Sequence, residues 1–154
     1  MSHDVYTLPE GLSVPTDDGA ADHLIGLELP DLVLESSEAE VNLRDLDVIY
    51  VYPRSGRPEQ PMLPGWDETP GARGCTPQSC AFRDLHGELA KLGVRVAGLS
   101  VQSLDDQREF AERNTGLNKR RTLVAEDARI VKVFYPVFPP DANAGDVLRW
   151  LQNR

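Results

Sequence analysis

The sequence has no apolar run that approaches the roughly 20 residues needed to cross a bilayer. Residues 1–5 lack the basic start and the apolar stretch of a secretory signal peptide, so we expect a cytoplasmic protein. Positive charge is also scarce, with 16 Lys and Arg against 25 Asp and Glu and a formal net charge of -9. This excess of negative charge argues against nucleic acids and anionic membranes as partners, because both attract basic surfaces.

Cysteine and histidine are rare, with two Cys and three His in the chain. No Cys-x-x-Cys or His-Glu-x-x-His pattern occurs, and the histidines have no metal-ligand spacing to the cysteines, which argues against a zinc site. The chain also has no glycine-rich phosphate loop and no convincing Ser-His-Asp set. Structural disulfides are rare in a reducing compartment, so the default interpretation of this pair is two inert thiols.

The length of 154 residues corresponds to one domain that can bury its own core. Residues 1–23 are polar, with prolines and glycines, and predict an extended leader before a single domain over residues 24–154. Residues 24–34 alternate loosely and predict short strands or an edge hairpin, and residues 35–40 predict a polar turn.

The rest of the chain alternates between strand and helix patterns. The continuous apolar run at residues 48–52 predicts a strand buried on both faces, and a long loop with many prolines and glycines follows it. Thr76 is the predicted cap of a helix that has Pro77 as its first residue. Its predicted apolar stripe is Phe82, Leu85, Leu89 and Leu92. Further strands are predicted at 94–99, 122–124 and 130–135, and further helices at 103–114 and 142–152. The order β-α-β-α-β-β-α is that of the thioredoxin fold.

Cys75 is the first candidate nucleophile. It comes one or two residues before the predicted helix start, where unpaired N–H groups and the helix dipole favour an anion. The thiolate is the reactive form of cysteine, so this position suits a nucleophile. Four arginines cluster around the cysteines of this acidic chain: Arg54, Arg57, Arg73 and Arg83.

Cys80 makes the pattern more specific, because it points roughly 150° away from the centre of the predicted apolar stripe. Five residues of helix separate Cys75 and Cys80 by about 7.5 Å along the helix axis. A disulfide does not form across a Cα separation of more than about 7 Å unless the backbone moves. A bond between these cysteines therefore requires the first helical turn to unwind, which indicates a site with a folded reduced state and an unwound oxidised state.

The segment GCTPQSCAFRD at residues 74–84 resembles the active-site helix of Q-type peroxiredoxins. These proteins form the bacterioferritin-comigratory-protein branch of the AhpC/TSA family, and their pattern is TPGCTxEACxFRD. Other similar segments are Leu29-Pro30-Asp31, Tyr52-Pro53 and residues 96–110, 122–133 and 146–151. The resemblance covers residues 24–151 and implies a thioredoxin-like α/β fold of the peroxiredoxin type.

The resemblance implies a thiol-dependent peroxidase that needs no metal, flavin or haem. The Cys75 thiolate would attack hydrogen peroxide or an organic hydroperoxide, and Cys80 would condense with the resulting sulfenic acid to form a disulfide. Thioredoxin or a similar external dithiol would then reduce the product. Arg120, in an RxT sequence, matches the family arginine that polarises the peroxide, with the adjacent Arg121 as the alternative. Pro53 would shield the thiolate side of the pocket.

The chain departs from the family pattern in two places. The family has a threonine three residues before the peroxidatic cysteine, where this chain has Ala72. Thr69, six residues before Cys75, would take that role if an insertion in the loop displaces the threonine. Q-type enzymes also have another strand and helix where this chain has only residues 115–119. We therefore expect a fold that is shortened before the C-terminal hairpin, in a monomer or weak homodimer.

Two alternatives remain beside the peroxidase. The first is a thiol–disulfide oxidoreductase without peroxidase activity, although the chain lacks the Cys-x-x-Cys of that class. The second is a redoxin-like redox-sensing or binding domain without turnover. Reduction of a protein disulfide without peroxide consumption would favour the first, and Cys75 reacting with peroxide no faster than free cysteine would favour the second.

Overall fold

The structure is a computed structural model, and it describes residues 6–36, 39–54, 61, 64–100 and 119–154. The described elements comprise six strands, three α-helices and three short 3-10 helices. The strands are β1 (Val33–Glu35), β2 (Glu40–Asn42), β3 (Val48–Val51), β4 (Val96–Leu99), β5 (Arg121–Glu126) and β6 (Arg129–Phe134). The α-helices are α1 (Cys75–Asp84), α2 (His86–Lys91) and α3 (Asn143–Gln152), and the 3-10 helices are Asp22–Leu24, Leu43–Asp45 and Pro140–Ala142.

The main sheet has four strands in the order β4-β3-β5-β6. Strand β3 pairs in parallel with β4 and antiparallel with β5, and β5 and β6 form an antiparallel hairpin. The predicted thioredoxin-like α/β fold is confirmed by this mixed sheet and its helices. Strands β1 and β2 form a separate antiparallel pair.

Strand β3 separates two hydrophobic cores. Ile49 and Val51 belong to one core, and Val48 packs in the other with Phe82 and Leu89. Successive side chains of a strand point to opposite faces, so a continuous apolar run supplies both cores at once. The prediction that this strand is buried on both faces is confirmed.

The predicted start of the first helix is wrong by two residues. Gly74 is the N-terminal cap, Cys75 is the first helical residue and Pro77 is the third. Proline fits anywhere in the first turn, because the N–H groups there have no partner within the helix. Gly74 has a φ of 103°, in the left-handed region that favours glycine. Cys75 therefore lies within the first turn of the helix rather than before it.

The first helix is also not continuous to residue 92, as the stripe predicted. It ends at Asp84, and α2 begins at His86 after Leu85 leaves the helical conformation. Phe82 and Leu89 are buried as predicted, but Leu92 is 43% exposed. Leu92 lies beyond the end of α2, where the chain turns away through Gly93.

The edge hairpin lies later in the chain than predicted. Residues 24–34 contain the last residue of the 3-10 helix Asp22–Leu24, an isolated bridge from Glu28 to Arg129 and the start of β1. The hairpin itself is formed by β1 and β2. At the position of the predicted polar turn, between β1 and β2, the Ser36 hydroxyl donates to the Ala39 carbonyl at 2.5 Å.

The C-terminal half follows its prediction closely. A two-residue turn joins β5 and β6, and Asp127 and Ala128 both have positive φ, as a tight hairpin with right-handed strands requires. The predicted last helix is α3, preceded by one 3-10 turn. The predicted helix at 103–114 and most of the short connection after it lie outside the described residues. Every helix that the structure describes is too short or too polar to span a membrane.

Candidate active site

Cys75 opens α1 with its side chain almost fully buried, at 3% exposure. Its Sγ atom lies 3.2 Å from Nη2 of Arg120 and 4.0 Å from the carbonyl oxygen of Ala72. The first of these contacts is short enough for a charge-assisted hydrogen bond to a thiolate. The structure thus joins the cysteine to an arginine that lies 45 residues away in the sequence.

The alternation of side chains along β5 explains why Arg120, rather than Arg121, contacts Cys75. Thr122 and Val124 are fully buried, at 0% and 1% exposure, and Val124 belongs to the core under α1. Arg120 precedes these residues at the same spacing of two and shares their face of the sheet. Arg121 points to the other face, so the geometry favours Arg120 as the arginine of the site.

The Arg120 guanidinium is enclosed by neutral acceptors. Nη2 donates to the carbonyl oxygens of Ala72 at 3.2 Å and Arg73 at 3.1 Å. Nη1 donates to Oε1 of Gln78 at 2.6 Å. Nε is buried and has no hydrogen-bond partner among the described residues. The loop before Cys75 thus fixes the orientation of the guanidinium and leaves one donor of Arg120 unused.

Gln78 belongs to a buried polar network that sequence reasoning missed. Its Nε2 donates to Oδ1 of Asn143 at 3.0 Å, and the same oxygen accepts from Oγ1 of Thr122 at 2.6 Å. One signal was available in the sequence, because Gln78 lies four residues before Phe82 and continues the apolar stripe of α1 towards its N-terminus. A polar residue in such a stripe indicates a buried side chain with specific partners.

Cys80 lies on the same helix as Cys75 and is partly exposed, and both cysteines are free thiols. Five residues of α-helix place the two side chains about 140° apart around the axis and about 7.5 Å apart along it. Phe82, two residues further on, stacks on Tyr50 with ring centroids 4.3 Å apart. The two sulfurs therefore meet only if the start of α1 unwinds, while Phe82 anchors the rest of the helix to the sheet.

A cavity of about 350 Å³ lies beside Arg120 and Ala72. Pro53 and Thr69 also line it, and Pro53 is buried. The Thr69 hydroxyl donates to the Gly65 carbonyl at 2.9 Å, and no side-chain hydrogen bond among the described residues joins Thr69 to Cys75 or Arg120. The remaining lining residues are Pro15, Thr16, Asp18, Pro64, Gly65, Trp66, Pro70, Gly71, Lys119, Tyr135, Pro136 and Val137.

Asp18, Lys119 and Tyr135 form a polar cluster in the lining of this cavity. Asp18 accepts hydrogen bonds from the Lys119 ammonium and, at 2.7 Å, from the Tyr135 hydroxyl. The Lys119 bond first, and the Tyr135 bond second, lower the pKa of Asp18. The bond to Asp18 in turn raises the pKa of Lys119 and that of Tyr135. This cluster therefore stays charge-paired through the neutral pH range.

Two further tyrosines, Tyr50 and Tyr52, lie on the sheet below α1, and burial raises the pKa of each. Both phenols therefore stay protonated at neutral pH.

Within the part of the chain that the structure describes, no three His, Cys, Asp or Glu side chains come together in a group that could hold a metal ion.

The chain is similar in sequence and in structure to known proteins. Residues 67–139, which include Cys75, Cys80 and Arg120, match the AhpC/TSA family. The chain is 34% identical over 95 residues to peroxiredoxin Bcp of Bacillus subtilis, across 58% of this chain and 51% of that protein. The crystal structure of peroxidoxin BcpB from Mycobacterium tuberculosis superposes with a TM-score of 0.58 and 26% identity, across 84% of this chain and 96% of the other. The part of the chain that carries the candidate site is therefore similar to the AhpC/TSA family.

Within the AhpC/TSA family the similarities lie on the Q-type branch. Chloroplastic peroxiredoxin Q of Oryza sativa is 28% identical over 146 residues, across 77% of this chain and 66% of that protein. The chain spans about half the length of the curated Bcp proteins it matches, with 51% of the Bacillus subtilis protein covered.

Proposed function

We propose that the chain is a thiol-dependent peroxidase in which Cys75 is the peroxidatic cysteine and Cys80 the resolving cysteine. The observation that carries the proposal is the 3.2 Å contact between Arg120 Nη2 and Cys75 Sγ at the first turn of α1. The guanidinium and the free N–H groups of the helix start both stabilise negative charge on the sulfur. The similarity of residues 67–139 to the AhpC/TSA family supports the same chemistry.

The first step is an attack of the Cys75 thiolate on one peroxide oxygen. A sulfur–oxygen bond forms and the oxygen–oxygen bond breaks, so Cys75 becomes a sulfenic acid and the peroxide is reduced. The leaving oxygen takes a proton and departs as water from hydrogen peroxide, or as an alcohol from an organic hydroperoxide. This step needs only the enzyme thiol and the peroxide.

Arg120 is the proposed electrophilic group for this step. Its Nε is a buried donor without a partner among the described residues, and Arg120 lines the cavity. A peroxide oxygen at this donor would gain a charge-assisted hydrogen bond as negative charge develops on it. Pro53, which is buried in the lining, is the proposed shield of the thiolate. Thr69 is proposed only as a lining residue, because its hydroxyl is bound to Gly65.

Resolution follows local unwinding of α1. The Cys80 thiol attacks the Cys75 sulfenic acid, and the products are a disulfide and water. Thioredoxin or a similar dithiol then exchanges with this disulfide and returns both cysteines to thiols. We place the reaction in the cytoplasm, in a monomer or weak homodimer. The net charge of -9 supports a partner other than nucleic acid or an anionic membrane surface.

The experiment that tests this assignment is chemical trapping in the Cys80→Ser variant. Without Cys80 the sulfenic acid has no intramolecular partner, so dimedone should label Cys75 after one equivalent of hydrogen peroxide. Cys75→Ser is the matched control and should take no label. If Cys75 in the Cys80→Ser variant is labelled no faster than free cysteine, the peroxidase assignment is wrong.

The structure gives less support to the oxidoreductase alternative. A thiol that attacks a protein disulfide must be accessible to a macromolecule, and Cys75 is only 3% exposed. A small peroxide can reach this sulfur with a smaller rearrangement. Exchange with a protein disulfide in the absence of peroxide would favour the oxidoreductase.

A further inference from the structure

The cavity beside Arg120 is much larger than hydrogen peroxide requires. Its volume is about 350 Å³, whereas an engineered apolar cavity of about 150 Å³ is enough to bind benzene. Hydrogen peroxide has only two heavy atoms and would leave most of this space to solvent. The cavity can therefore hold an organic group attached to the hydroperoxide.

The cavity lining favours a group that is apolar and uncharged. Trp66, Pro136 and Val137 present apolar surface. Three charged residues belong to the lining, but the charges of Asp18 and Lys119 compensate each other in their ion pair. Arg120 keeps a buried Nε donor that has no partner among the described residues, and its guanidinium adjoins Cys75. A compact aromatic or branched alkyl group would contact the apolar lining residues without breaking the ion pair, and the hydroperoxide group would face the Arg120 donor.

The N-terminal segment supplies one wall of the cavity. We call residues 15–18 the strap. Pro15, Thr16 and Asp18 of the strap all line the cavity. The strap packs directly on the loop before Cys75, because Pro15 Cγ lies 3.3 Å from the position that a Cβ atom at Gly71 would occupy. The Gly71 carbonyl is in turn 3.5 Å from Arg120 Nη2. The strap thus touches the same loop that orients the guanidinium.

The strap is held on the domain by Asp18. This carboxylate binds the ammonium of Lys119, the residue directly before Arg120, and the hydroxyl of Tyr135. Both partners belong to the cavity lining. A strap fixed at this point therefore has a defined position relative to Arg120.

We propose that the strap is a specificity-determining element, which makes the site accept hydroperoxides that carry a compact, uncharged aromatic or branched alkyl group. The organic group lies between the strap and the apolar lining residues, and the hydroperoxide faces Arg120. This proposal rests on the proposed function, since it names the substrate class of the same site. The strap, which precedes the thioredoxin-like core in the sequence, would thus take part in substrate selection.

The test compares turnover of cumene hydroperoxide with that of hydrogen peroxide. Thr16→Phe fills part of the cavity, and it should lower the ratio of the two kcat/KM values by about tenfold or more. Ser13→Phe is the matched control, because Ser13 is exposed on the same segment but does not line the cavity. Its ratio should equal that of the parent protein. An unchanged ratio in Thr16→Phe, or an equal change in both variants, would overturn the proposal.

A second pair of variants tests the attachment of the strap. Asp18→Ala removes both bonds to the domain and should lower the same ratio by about threefold, a modest change because exposed ion pairs are weak. Asp17→Ala is the control. Asp17 accepts a backbone hydrogen bond from Gly19, and Asp18 accepts one from Ala20, so each variant loses one such local bond. Equal ratios in Asp18→Ala and Asp17→Ala would contradict the attachment. Failure of the proposed peroxidase function would give a different result from failure of the strap proposal. In that case the parent protein itself would consume neither peroxide faster than free cysteine does.

Discussion

Gln78 Nε2 donates to Asn143 Oδ1 at 3.0 Å and thereby joins the helix that carries Cys75 to the last helix of the chain. The other end of the Gln78 amide accepts from Arg120 at 2.6 Å. Arg120 is therefore positioned by a neutral amide, which leaves its positive charge available to the Cys75 sulfur and to a bound peroxide. Gln78 and Asn143 are positioning residues, and they act through Arg120.

The first prediction concerns the coupling between these two amides. Gln78→Leu and Asn143→Leu each leave buried partners unpaired and should each lower the free energy of unfolding by about 2 to 3 kcal/mol. The double variant should lose about 1 kcal/mol less than the sum, because each single change already breaks their shared bond. Urea unfolding measures all four corners of this cycle. Additive losses would show that the two side chains act independently.

The second prediction separates the two adjacent arginines. Arg120→Lys keeps a positive charge but loses most of the donors around Cys75, so kcat/KM for hydrogen peroxide should fall by about hundredfold. Arg121→Lys is the matched control on the opposite face of the sheet, and its rate should stay close to that of the parent protein. An equal loss in both variants would contradict the assignment of Arg120.

The third prediction uses two glycines with opposite environments. At Gly74 φ is 103°, and an added Cβ would lie 2.6 Å from Pro140 Cγ, so Gly74→Ala should lower the free energy of unfolding by about 2 kcal/mol or more. Gly87 lies within α2 and an added Cβ would meet nothing within 4 Å. Gly87→Ala should raise the free energy of unfolding by about 0.5 to 1 kcal/mol. Effects of the same sign would contradict this description of the helix cap.

The fourth prediction concerns Thr69. Its hydroxyl donates to the Gly65 carbonyl within the loop, so Thr69→Val should cost less than about 1 kcal/mol of stability. The kcat/KM for hydrogen peroxide should change little. A loss as large as that of Arg120→Lys would instead give Thr69 the catalytic role that the family pattern suggested.

The sequence was sufficient for the elements whose signals are local. The apolar run of β3, the hairpin of β5 and β6, and the last helix follow from patterns within a few residues. The exact helix boundaries around Cys75 do not, because they depend on contacts between distant residues. Gly74 can cap α1 in its left-handed conformation where Leu8 and Pro140 pack closely against it. The sequence around residue 74 holds no sign of these neighbours.

The sequence predicted only those residues of the candidate site that belong to recognisable motifs. The two cysteines and the choice between two arginines came from sequence, while the buried network of Gln78, Asn143 and Thr122 did not. Those three polar residues come from α1, α3 and β5, and only the fold brings them together. The strap is a similar case, since its contact with Lys119 spans 101 residues of sequence.

The most direct test of the account is a reaction of the fully reduced protein with one equivalent of hydrogen peroxide, followed within seconds by intact mass and free-thiol measurements. We predict the loss of two hydrogens and of both free thiols, as formation of a Cys75–Cys80 disulfide requires. The Cys75→Ser variant should show neither change. If both thiols of the parent protein stay reduced, or react no faster than free cysteine, the peroxidase assignment is contradicted.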